Sequence, residues 1–535
     1  MNINKYHIFI NQTGYLPNAV KTAYMAFPAE EFSVCDCGGR TVLTGRTERF
    51  GFDSLSGDTV FTADFSSLEK SGKYYISAAG KRSAEFVISD DVYRKNAEML
   101  LHAFYYLRCV CELEPEYAGE FVHKKCHTAP AAEWYDHSVT RDICGGWHDA
   151  GDYGRYVTAG AAALQHMLLG CRLFPERFYR LKSNIPPCGK LPDILAECKV
   201  ELDWIMKMQR EDGAVYHKAT TAHHAPFIMP EDDTAQMYLL PVSSMAAADT
   251  AAVMALASGI YREFDGEYAD KLLKAAEKSY KWLENDPDFL GFDNPEGCGT
   301  GVYGERGDKD NRFWAAAELF GVTGEEKYHR DFRALLDEDF PKTALGFGEV
   351  GGMGALAYIL SDGGDDTIKN RLKKNFSEKA AELKSLSDSC GYGTAMTGRA
   401  FCWGSNMNVL KSAMTFIIAA ELCGEREYIP YAQKQLDYIY GANALGISYV
   451  TGAGEYSVKY PHYRPADADR IDRCHEGFVS GGANGRPCDE KAIKLIPEGT
   501  PPMKCFVDEV ECYSLNEITI YWNSPAVFAA AWLSE

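Results

Sequence analysis

The sequence has little positive charge and lacks a long apolar run. Lys and Arg total 55 against 76 Asp and Glu, which gives a formal net charge of −21. Such an acidic chain repels nucleic acid and anionic lipid. No stretch approaches the roughly 20 apolar residues of a membrane span, and the N-terminus MNINKYHIFINQTGYL lacks a run of signal-peptide length. We therefore expect a cytoplasmic protein with a neutral or small polar substrate and no nucleic-acid or membrane partner, and no protein partner is evident.

The chain also lacks a fixed-period repeat, which disfavours a solenoid. It has 535 residues, 46% of them hydrophobic, enough for more than one domain. The 17 cysteines are not expected to form a disulfide framework in a cytosolic chain of this length. Most should be reduced core thiols, which leaves room for a metal site among them.

Two patterns of secondary structure divide the sequence near residue 90. Residues 1–90 contain short β-prone runs such as KTAYMAF and KYYISAAG between turn residues, which predicts a small antiparallel sandwich. Residues 91–535 show helical periodicity without credible intervening strands. Twelve helices are predicted, beginning near 92, 155, 192, 244, 267, 310, 325, 348, 367, 404, 427 and 523. A bundle or a barrel of helical hairpins would accommodate them.

The stretch GGWHDAGDYGRYV places Asp149 and Asp152 three positions apart before a helix-like run. A helix N-terminus favours an ionised carboxylate, and an ionised pair suits a general base that holds and deprotonates a water. The alternative is helix capping by Asp152 with Asp149 solvated. Capping does not explain Trp147 or the glycines around the two aspartates.

Two further stretches supply partners for these aspartates. Glu517 lies among aromatic residues before the last helix, where desolvation could keep it neutral as a general acid; the alternative is a charge in an exposed loop. His462 and Arg464 flank Tyr463 in a Gly- and Pro-rich loop and could donate hydrogen bonds to sugar hydroxyls or position the carboxylates. Alone, that pair is typical of a surface.

Together these stretches resemble glycoside hydrolase family 9, the family of many cellulases, over nearly the whole chain. NQTGYLPNAVKTAYM is similar to the immunoglobulin-like domain often found at the N-terminus of its members. The C-terminal signature is met by Phe506, Asp508, Tyr513, Glu517, Thr519, Asn523 and Ser524. The His-Arg signature is met by Ser448, Val450, Thr451, Gly454, Pro461, His462 and Arg464. Tyr456 departs from it, standing where Asn, Lys or Arg is usual.

The resemblance implies a mostly α fold, an (α/α)6 barrel at 91–535 preceded by a small all-β immunoglobulin-like sandwich at 1–90. It implies inverting hydrolysis of β-1,4-glucosidic bonds in a gluco-oligosaccharide or soluble β-glucan. Asp152 would be the general base, Asp149 its partner on the water and Glu517 the general acid. Inversion requires the Asp152 and Glu517 carboxyls to lie roughly 6.5–9.5 Å apart. The implied substrate contacts are His462, Arg464, Asp508, Tyr513, Trp147 and Trp403, although the tryptophans and Tyr513, like Trp522, could equally belong to the core.

Other functions stay open at this point. Within the family, an exo-acting glucohydrolase (β-glucosidase) or an exo-β-glucosaminidase is an alternative to endo action. A catalytically silent carbohydrate-binding protein is an alternative of a different class, and a zinc-dependent hydrolase is a third.

Cys109, Cys126, His127 and His148 offer ligands suited to tetrahedral zinc. Their spacing is not a finger pattern, and reduced core cysteines with a capping histidine would explain it as well. The resemblance implies a structural zinc, because a subset of the family places one on matching positions. Four protein ligands would leave no open position for catalysis. Calcium is also implied; Asp308 and Asp310 are possible contributors, a solvated acidic loop is the alternative, and no ligands are assigned.

Overall fold

The computed structural model describes residues 5–534, and these form two compact units. The first unit comprises the described residues of Met1–Ala103 and Ser377–Glu535, and the second comprises Phe104–Phe376. Among the described residues, no helix is both long and apolar enough to cross a bilayer.

The N-terminal part of the first unit is a sandwich of two antiparallel sheets. Its strands are β1 (Ile8–Phe9), β2 (Thr22–Met25), β3 (Glu31–Asp36), β4 (Thr41–Arg46), β5 (Glu48–Asp53), β6 (Asp58–Asp64), β7 (Gly72–Ala78), β8 (Lys81–Arg82) and β9 (Phe86–Ile88). One sheet has the order β1-β2-β6-β5, and the other has the order β4-β3-β7-β8 with β9 also paired to β7. Alternate residues of β7 (Tyr74, Ile76 and Ala78) are buried in the sandwich core, as the two-residue period of a strand requires. The predicted all-β sandwich is confirmed.

Helices make up most of the remaining chain. They are α1 (Val92–Tyr106), α2 (Pro115–Ala118), α3 (Val157–Leu173), α4 (Pro175–Phe178), α5 (Asp193–Met208), α6 (Ser244–Tyr261), α7 (Gly266–Asn285), α8 (Lys309–Thr323), α9 (Glu326–Leu335), α10 (Gly351–Leu360), α11 (Asp366–Ser389), α12 (Ser405–Leu422), α13 (Ile429–Ile439), α14 (Arg464–Ala468), α15 (Glu490–Leu495), α16 (Tyr513–Asn516) and α17 (Ile520–Leu533). A small sheet of β10 (Ala131–Glu133), β11 (Thr140–Arg141), β12 (Arg155–Tyr156), β13 (Lys218–Thr220) and β14 (Tyr238–Leu239) lies in the second unit.

Inner and outer helices alternate in the second unit. Nearly every residue of α3 and α6 is buried, and α8 and α10 are buried over most of their length. A helix that is apolar all round needs neighbours on every side. Accordingly α6 packs against α3, α7 and α8, and α8 packs against α9 and α10. The helices α7 and α9 bury only one face, so they form the outer partners of helical hairpins.

Sequence periodicity predicts the long helices well. Each of the twelve predicted starts lies within three residues of a helix start. The five shorter helices and the sheet β10–β14 were not predicted, because elements of two to six residues carry too little pattern. The strand β9 ends at Ile88 and α1 begins at Val92. The compact units follow different limits from the domains 1–90 and 91–535, and that division stays a prediction.

Asp437 on α13 connects the sandwich to the helices of the first unit. It is buried. Its Oδ1 accepts hydrogen bonds from Asn11 Nδ2 at 2.8 Å and from the Tyr93 hydroxyl at 3.2 Å. Burial raises the pKa of the Asp437 carboxyl to about 7, although hydrogen bonds from Asn11, Tyr93 and Gln433 oppose the shift. The group is thus stable as a neutral acid at mildly acidic pH.

The variant Asp437→Asn should gain stability relative to wild type as pH rises. Because the folded-state pKa lies above the unfolded value of about 3.9, the stabilising contribution of this carboxyl is full below about pH 4 and is lost as pH rises through 7. The amide keeps an acceptor for Asn11 and Tyr93 without a buried charge. Melting temperatures at pH 5 and pH 8 measure the effect, with the exposed Asp90→Asn as control. A difference between variant and wild type that does not change with pH would contradict this account.

Candidate active site

The stretch Gly145–Val157 forms a tight turn that buries both aspartates. Asp149 N donates to Gly154 O at 2.9 Å. Gly146 has a φ of +78°, and a Cβ there would lie 2.7 Å from Trp204 Cγ, so only glycine fits. Helix α3 begins only at Val157, after strand β12. The prediction that Asp152 lies at a helix N-terminus is therefore wrong, and capping cannot explain this residue.

Asp149 is 1% exposed, so the alternative of a solvated carboxylate is wrong. Its Oδ2 accepts a hydrogen bond from the Tyr303 hydroxyl. Its buried Oδ1 has no hydrogen-bond partner among the described residues. Burial, and then the charge of Asp152, raise the pKa of Asp149 well above its ordinary value, and the Tyr303 hydrogen bond only partly opposes them. The sequence predicts an ionised pair, but burial disfavours the ionised form of Asp149.

Asp152 is surrounded by donors from three segments. Its Oδ2 accepts from Gly154 N at 3.1 Å and lies 3.5 Å from the Tyr156 hydroxyl. His224 Nδ1 lies 3.1 Å from the same oxygen. The His224 side chain is 39% exposed, whereas that of Asp152 is 9% exposed. No sequence motif indicated His224 or, in a Gly-rich stretch, Tyr303.

Trp147 belongs to the floor beneath this turn. Its side chain is completely buried and packs against Phe104, with ring centroids 4.8 Å apart. The indole Nε1 donates to Glu197 Oε1 at 2.8 Å, and Trp147 N donates to Glu201 Oε2 at 2.7 Å. A ring without exposed surface cannot stack on a sugar. The prediction that Trp147 contacts substrate is therefore wrong, and the residue positions the turn.

Further buried charges complete this floor. Glu197 accepts two hydrogen bonds from Arg108, at 3.1 and 2.7 Å. Arg155 Nη1 donates at 2.6 Å to the carbonyls of Ile143 and Gly145. Burial raises the pKa of Glu201 to about 8, so this carboxyl is neutral near pH 7. The start of the turn is thus held by side chains that no sequence motif indicated.

Cys109, Cys126, His127 and His148 form one metal-competent cluster. Their four potential ligand atoms all lie within 4.8 Å of one another. Cys109 Sγ lies 3.9 Å from His127 Nδ1, and Cys126 Sγ lies 3.8 Å from His148 Nε2. Within residues 5–534, no other group of three or more Cys, His, Asp or Glu side chains meets the same criterion. The alternative of unrelated core thiols does not account for this convergence.

Backbone pairing brings the cluster to the aspartates. Cys109 N donates to Gly146 O at 2.8 Å, and His148 N donates to Leu107 O at 2.7 Å. His148 and Asp149 are consecutive, so one side chain joins the cluster while the other meets Tyr303. Asp233 Oδ2 lies 3.3 Å from His127 Nε2, a contact that orients this imidazole so that Nδ1 faces the cluster.

Glu517 lies in the first unit with three of its predicted neighbours. Trp403 Nε1 donates to Glu517 Oε2 at 3.0 Å. The rings of Trp403 and Tyr513 are 5.3 Å apart, and those of His462 and Tyr513 are 5.8 Å apart. The backbone of Glu517 pairs with His462, and Gly481 N donates to Glu517 O at 2.8 Å. Trp403 is 45% exposed, so this cluster offers an open aromatic face beside a carboxyl.

The remaining predicted contacts are Asp508, which is partly buried, and Arg464, which is buried. Asp508 accepts hydrogen bonds from Lys459 N, Tyr460 N and Asn516 Nδ2 at 2.8 to 3.0 Å, and burial raises its pKa. These bonds tie the loop before His462 in place, which favours a positioning role over the predicted substrate contact. Arg464 is buried at the start of α14, and Trp522 is buried against Gly404.

Asp308 and Asp310 lie at the start of α8. Both are buried, so the alternative of a solvated acidic loop is wrong. Asp308 Oδ2 accepts from Arg312 Nε at 2.8 Å, and Asp310 Oδ2 accepts from Val350 N at 2.9 Å.

Two family models match the chain in order. One is described as a cellulase N-terminal ig-like domain and matches residues 4–83, and the other as glycosyl hydrolase family 9, matching residues 93–530. A cellodextrinase of Butyrivibrio fibrisolvens is 46% identical over 99% of this chain and all of its own length. Endoglucanase D of Acetivibrio thermocellus is 34% identical over 98% of this chain and 83% of its own length.

Solved structures agree with these matches. A single mutant of a thermostable endoglucanase from Alicyclobacillus acidocaldarius has a TM-score of 0.93 at 34% identity, covering 99% of this chain and 100% of its own. A Zn-binding triple mutant of a family 9 endoglucanase has a TM-score of 0.92 at 33% identity, covering 97% and 99%. The predicted fold class, an (α/α)6 barrel preceded by an immunoglobulin-like sandwich, is confirmed.

Trp147→Phe should lower stability without changing any exposed surface. The variant leaves Glu197 without the indole N–H and opens space beside Phe104, which together cost about 1–3 kcal/mol. Thermal melting measures the loss. Trp403→Phe, at a half-exposed position, is the matched control and should melt close to wild type. Equal melting of wild type and Trp147→Phe would contradict the structural role.

Proposed function

Because the chain belongs to glycoside hydrolase family 9, we propose that it hydrolyses β-1,4-glucosidic bonds in gluco-oligosaccharides or soluble β-glucan with inversion. The observation that carries this proposal is the buried pair Asp149 and Asp152 with donors from Tyr303 and His224. The cellodextrinase relative, similar over the whole chain, supports an oligosaccharide substrate.

The two aspartates suit different tasks on one water. Asp152, beside the partly exposed imidazole of His224, is the proposed general base. Asp149 is more deeply buried, and its unpartnered Oδ1 offers the water a second contact. Burial, and then the charge of Asp152, raise the pKa of Asp149, which fits a water-holding role for Asp149 better than the role of the base.

Glu517 is the proposed general acid that protonates the leaving oxygen. Trp403 donates its indole N–H to Oε2 of this carboxyl. Inversion needs roughly 6.5–9.5 Å between the carboxyls of Asp152 and Glu517 to admit a water. The exposed ring of Trp403, with Tyr513 and His462 beside it, is the proposed sugar contact, since aromatic faces pack against the C–H groups of a pyranose.

Cleavage from chain ends is the second candidate. The similarity to a cellodextrinase supports a short substrate for this chain, whereas the similarity to endoglucanase D supports internal cleavage. An exo-β-glucosaminidase and a silent carbohydrate-binding protein have no named counterpart among these relatives. A cytoplasmic location, with imported oligosaccharides as substrate, is part of this proposal and is compatible with a cellodextrinase-like activity.

We propose that the Cys109 cluster holds a structural zinc. Two thiols and two imidazoles are the donors that tetrahedral zinc prefers, and all four are buried or nearly so. The Zn-binding relative supports this metal. Four protein ligands leave no open position, so the zinc would cross-link the backbone beside Asp149 and would not activate the water. Calcium near Asp308 and Asp310 is proposed without a ligand set.

Glu517→Gln should lower hydrolysis of cellopentaose by about a thousandfold or more, because the amide cannot donate a proton to the leaving oxygen. Reducing-sugar release and product chromatography over time measure it, with chitosan oligosaccharide and mixed-linkage glucan as alternative substrates. Release of one short product from the start indicates exo action, and a spread of products indicates endo action. NMR of the first product should show the α-anomer.

Glu511→Gln is the matched control, because Glu511 is exposed and pairs only with Lys491 among the contacts of the described residues. It should retain wild-type turnover. Undiminished turnover of folded Glu517→Gln would overturn the assignment of the acid. A wild-type protein that binds cellopentaose and releases no sugar would establish the silent alternative.

The purified protein should contain about one zinc per chain, and Cys126→Ser should lose most of it. Loss of the cross-link between the segments of Cys109 and His148 should lower the melting temperature. Elemental analysis and thermal melting measure both effects, and Cys111→Ser, two positions from a ligand, is the control. Full zinc content in Cys126→Ser would contradict the ligand set.

A further inference from the structure

Lys218 is a completely buried cation at the start of β13. Its Nζ donates to Asn294 Oδ1 at 2.7 Å, Thr300 Oγ1 at 3.0 Å and Gly301 O at 2.5 Å. All three acceptors are neutral and lie on the segment 292–304. Among the residues that the structure describes, no carboxylate lies within ion-pair distance of this ammonium group.

The segment that Lys218 holds carries Tyr303 to Asp149. His217, the residue just before β13, also contacts the segment 292–304. Its Nε2 lies 3.1 Å from Val302 O, and its ring stacks on Phe292 with centroids 3.9 Å apart. Tyr303 follows Val302 directly, and its hydroxyl donates to Asp149. The position of this donor therefore depends on the bonds made by β13.

The side chain of Tyr156 lies near both Lys218 and Asp152. Tyr156 is the register partner of Lys218 in the pairing of β12 with β13. Lys218 Nζ lies 5.5 Å from the centre of the Tyr156 ring, and the Tyr156 hydroxyl lies 3.5 Å from Asp152 Oδ2. A buried cation without a contact ion pair needs negative charge nearby, and Asp152, after Cys298, is among the groups that raise the pKa of Lys218.

We propose that Lys218 is a positioning residue of the active site that also acts as the buried counter-charge of Asp152. The inference rests on the proposed role of Asp152 as the general base. Through its three hydrogen bonds, Lys218 fixes the segment that presents Tyr303. Through its charge, it stabilises the ionised form of Asp152, which is the form that accepts a proton from water.

Several other ionisable groups face Asp152 and Lys218. Asp152 is faced by Asp149 on the same turn, by Tyr156 on β12 and by His224 on the loop after β13. Tyr303 contacts Asp149. The Cys298 thiol and His217 lie beside Lys218. Burial lowers the pKa of Lys218 to about 8, against the opposing charges of Cys298 and Asp152. Lys218 thus keeps its proton at acidic pH, where the proposed base Asp152 titrates. An effect of Lys218 on the acid limb therefore comes from its constant positive charge and not from a change in its own protonation.

Lys218→Met tests the charge, because methionine is of similar length and uncharged. Loss of a positive charge near Asp152 raises the pKa of this carboxyl, so the acid limb of kcat/KM for cellopentaose should move to higher pH by about one unit. Lys218→Gln is the second variant and should move the limb in the same direction. Circular dichroism and thermal melting establish which variants are folded. Lys190→Met, at an exposed lysine, should leave the pH profile unchanged.

Thr300→Val separates position from charge. It removes one acceptor of Lys218 but keeps the ammonium, so kcat should fall about three- to tenfold while the acid limb stays at the wild-type pH. A folded Lys218→Met or Lys218→Gln with an unmoved acid limb would overturn the counter-charge. Equal displacement of the limb in Thr300→Val would also overturn it, because the shift would then arise from loosening alone.

Asp152→Asn distinguishes failure of this inference from failure of the proposed function. If Asp152→Asn keeps wild-type turnover, Asp152 is not the base and the proposed function fails at this residue. If Asp152→Asn is inactive and the Lys218 variants keep the wild-type limb, only the role of Lys218 fails. If neither Lys218 variant folds and Thr300→Val retains full kcat, the positioning role is contradicted.

Discussion

Burial of two neighbouring carboxyls is the constraint on which the candidate site depends. Asp149 and Asp152 are almost completely removed from solvent, and such a pair costs free energy unless donors or positive charge compensate it. The chain supplies that compensation from separate segments: Gly154 in the turn, His224 after β13, and Tyr303 before α8. Each of those segments is thereby required to hold one position.

The same constraint extends below the turn. Trp147 donates hydrogen bonds to Glu197 and Glu201 on α5. The turn therefore packs on a buried polar network, where apolar side chains would be more usual. Directional hydrogen bonds fix the backbone more narrowly than apolar contacts do, and removal of one partner leaves another buried group unsatisfied. That arrangement suits the proposed role of the two aspartates, which is to hold a water in one orientation. Gly146 lies close to Trp204 and Glu201 in this network, where a Cβ would not fit.

The sequence predicts long elements and contiguous motifs, and it fails where partners are distant. Twelve helices could be predicted because each carries several turns of periodic pattern, and Asp149, Asp152 and Glu517 because they occur in motifs. Tyr303 lies 154 positions from Asp149, and nothing in its Gly-rich surroundings indicates which carboxyl it meets. The predicted substrate contact of Trp147 fails because a motif identifies a position without telling whether its side chain faces a cleft or the core.

The location of the metal-competent cluster restricts what a metal could contribute. His148 and Asp149 are consecutive, and the cluster draws on the same backbone that presents Asp149. A metal with four protein ligands would fix that backbone but could not also bind the reacting water. The electrostatic balance of Asp152 must then come from elsewhere in the chain. Among the contacts of the described residues, the partly exposed imidazole of His224 lies beside Asp152, and the buried ammonium of Lys218 lies near the Tyr156 ring whose hydroxyl meets Asp152. Burial lowers the pKa of Lys218 to about 8, so this ammonium group keeps its positive charge through the acidic range.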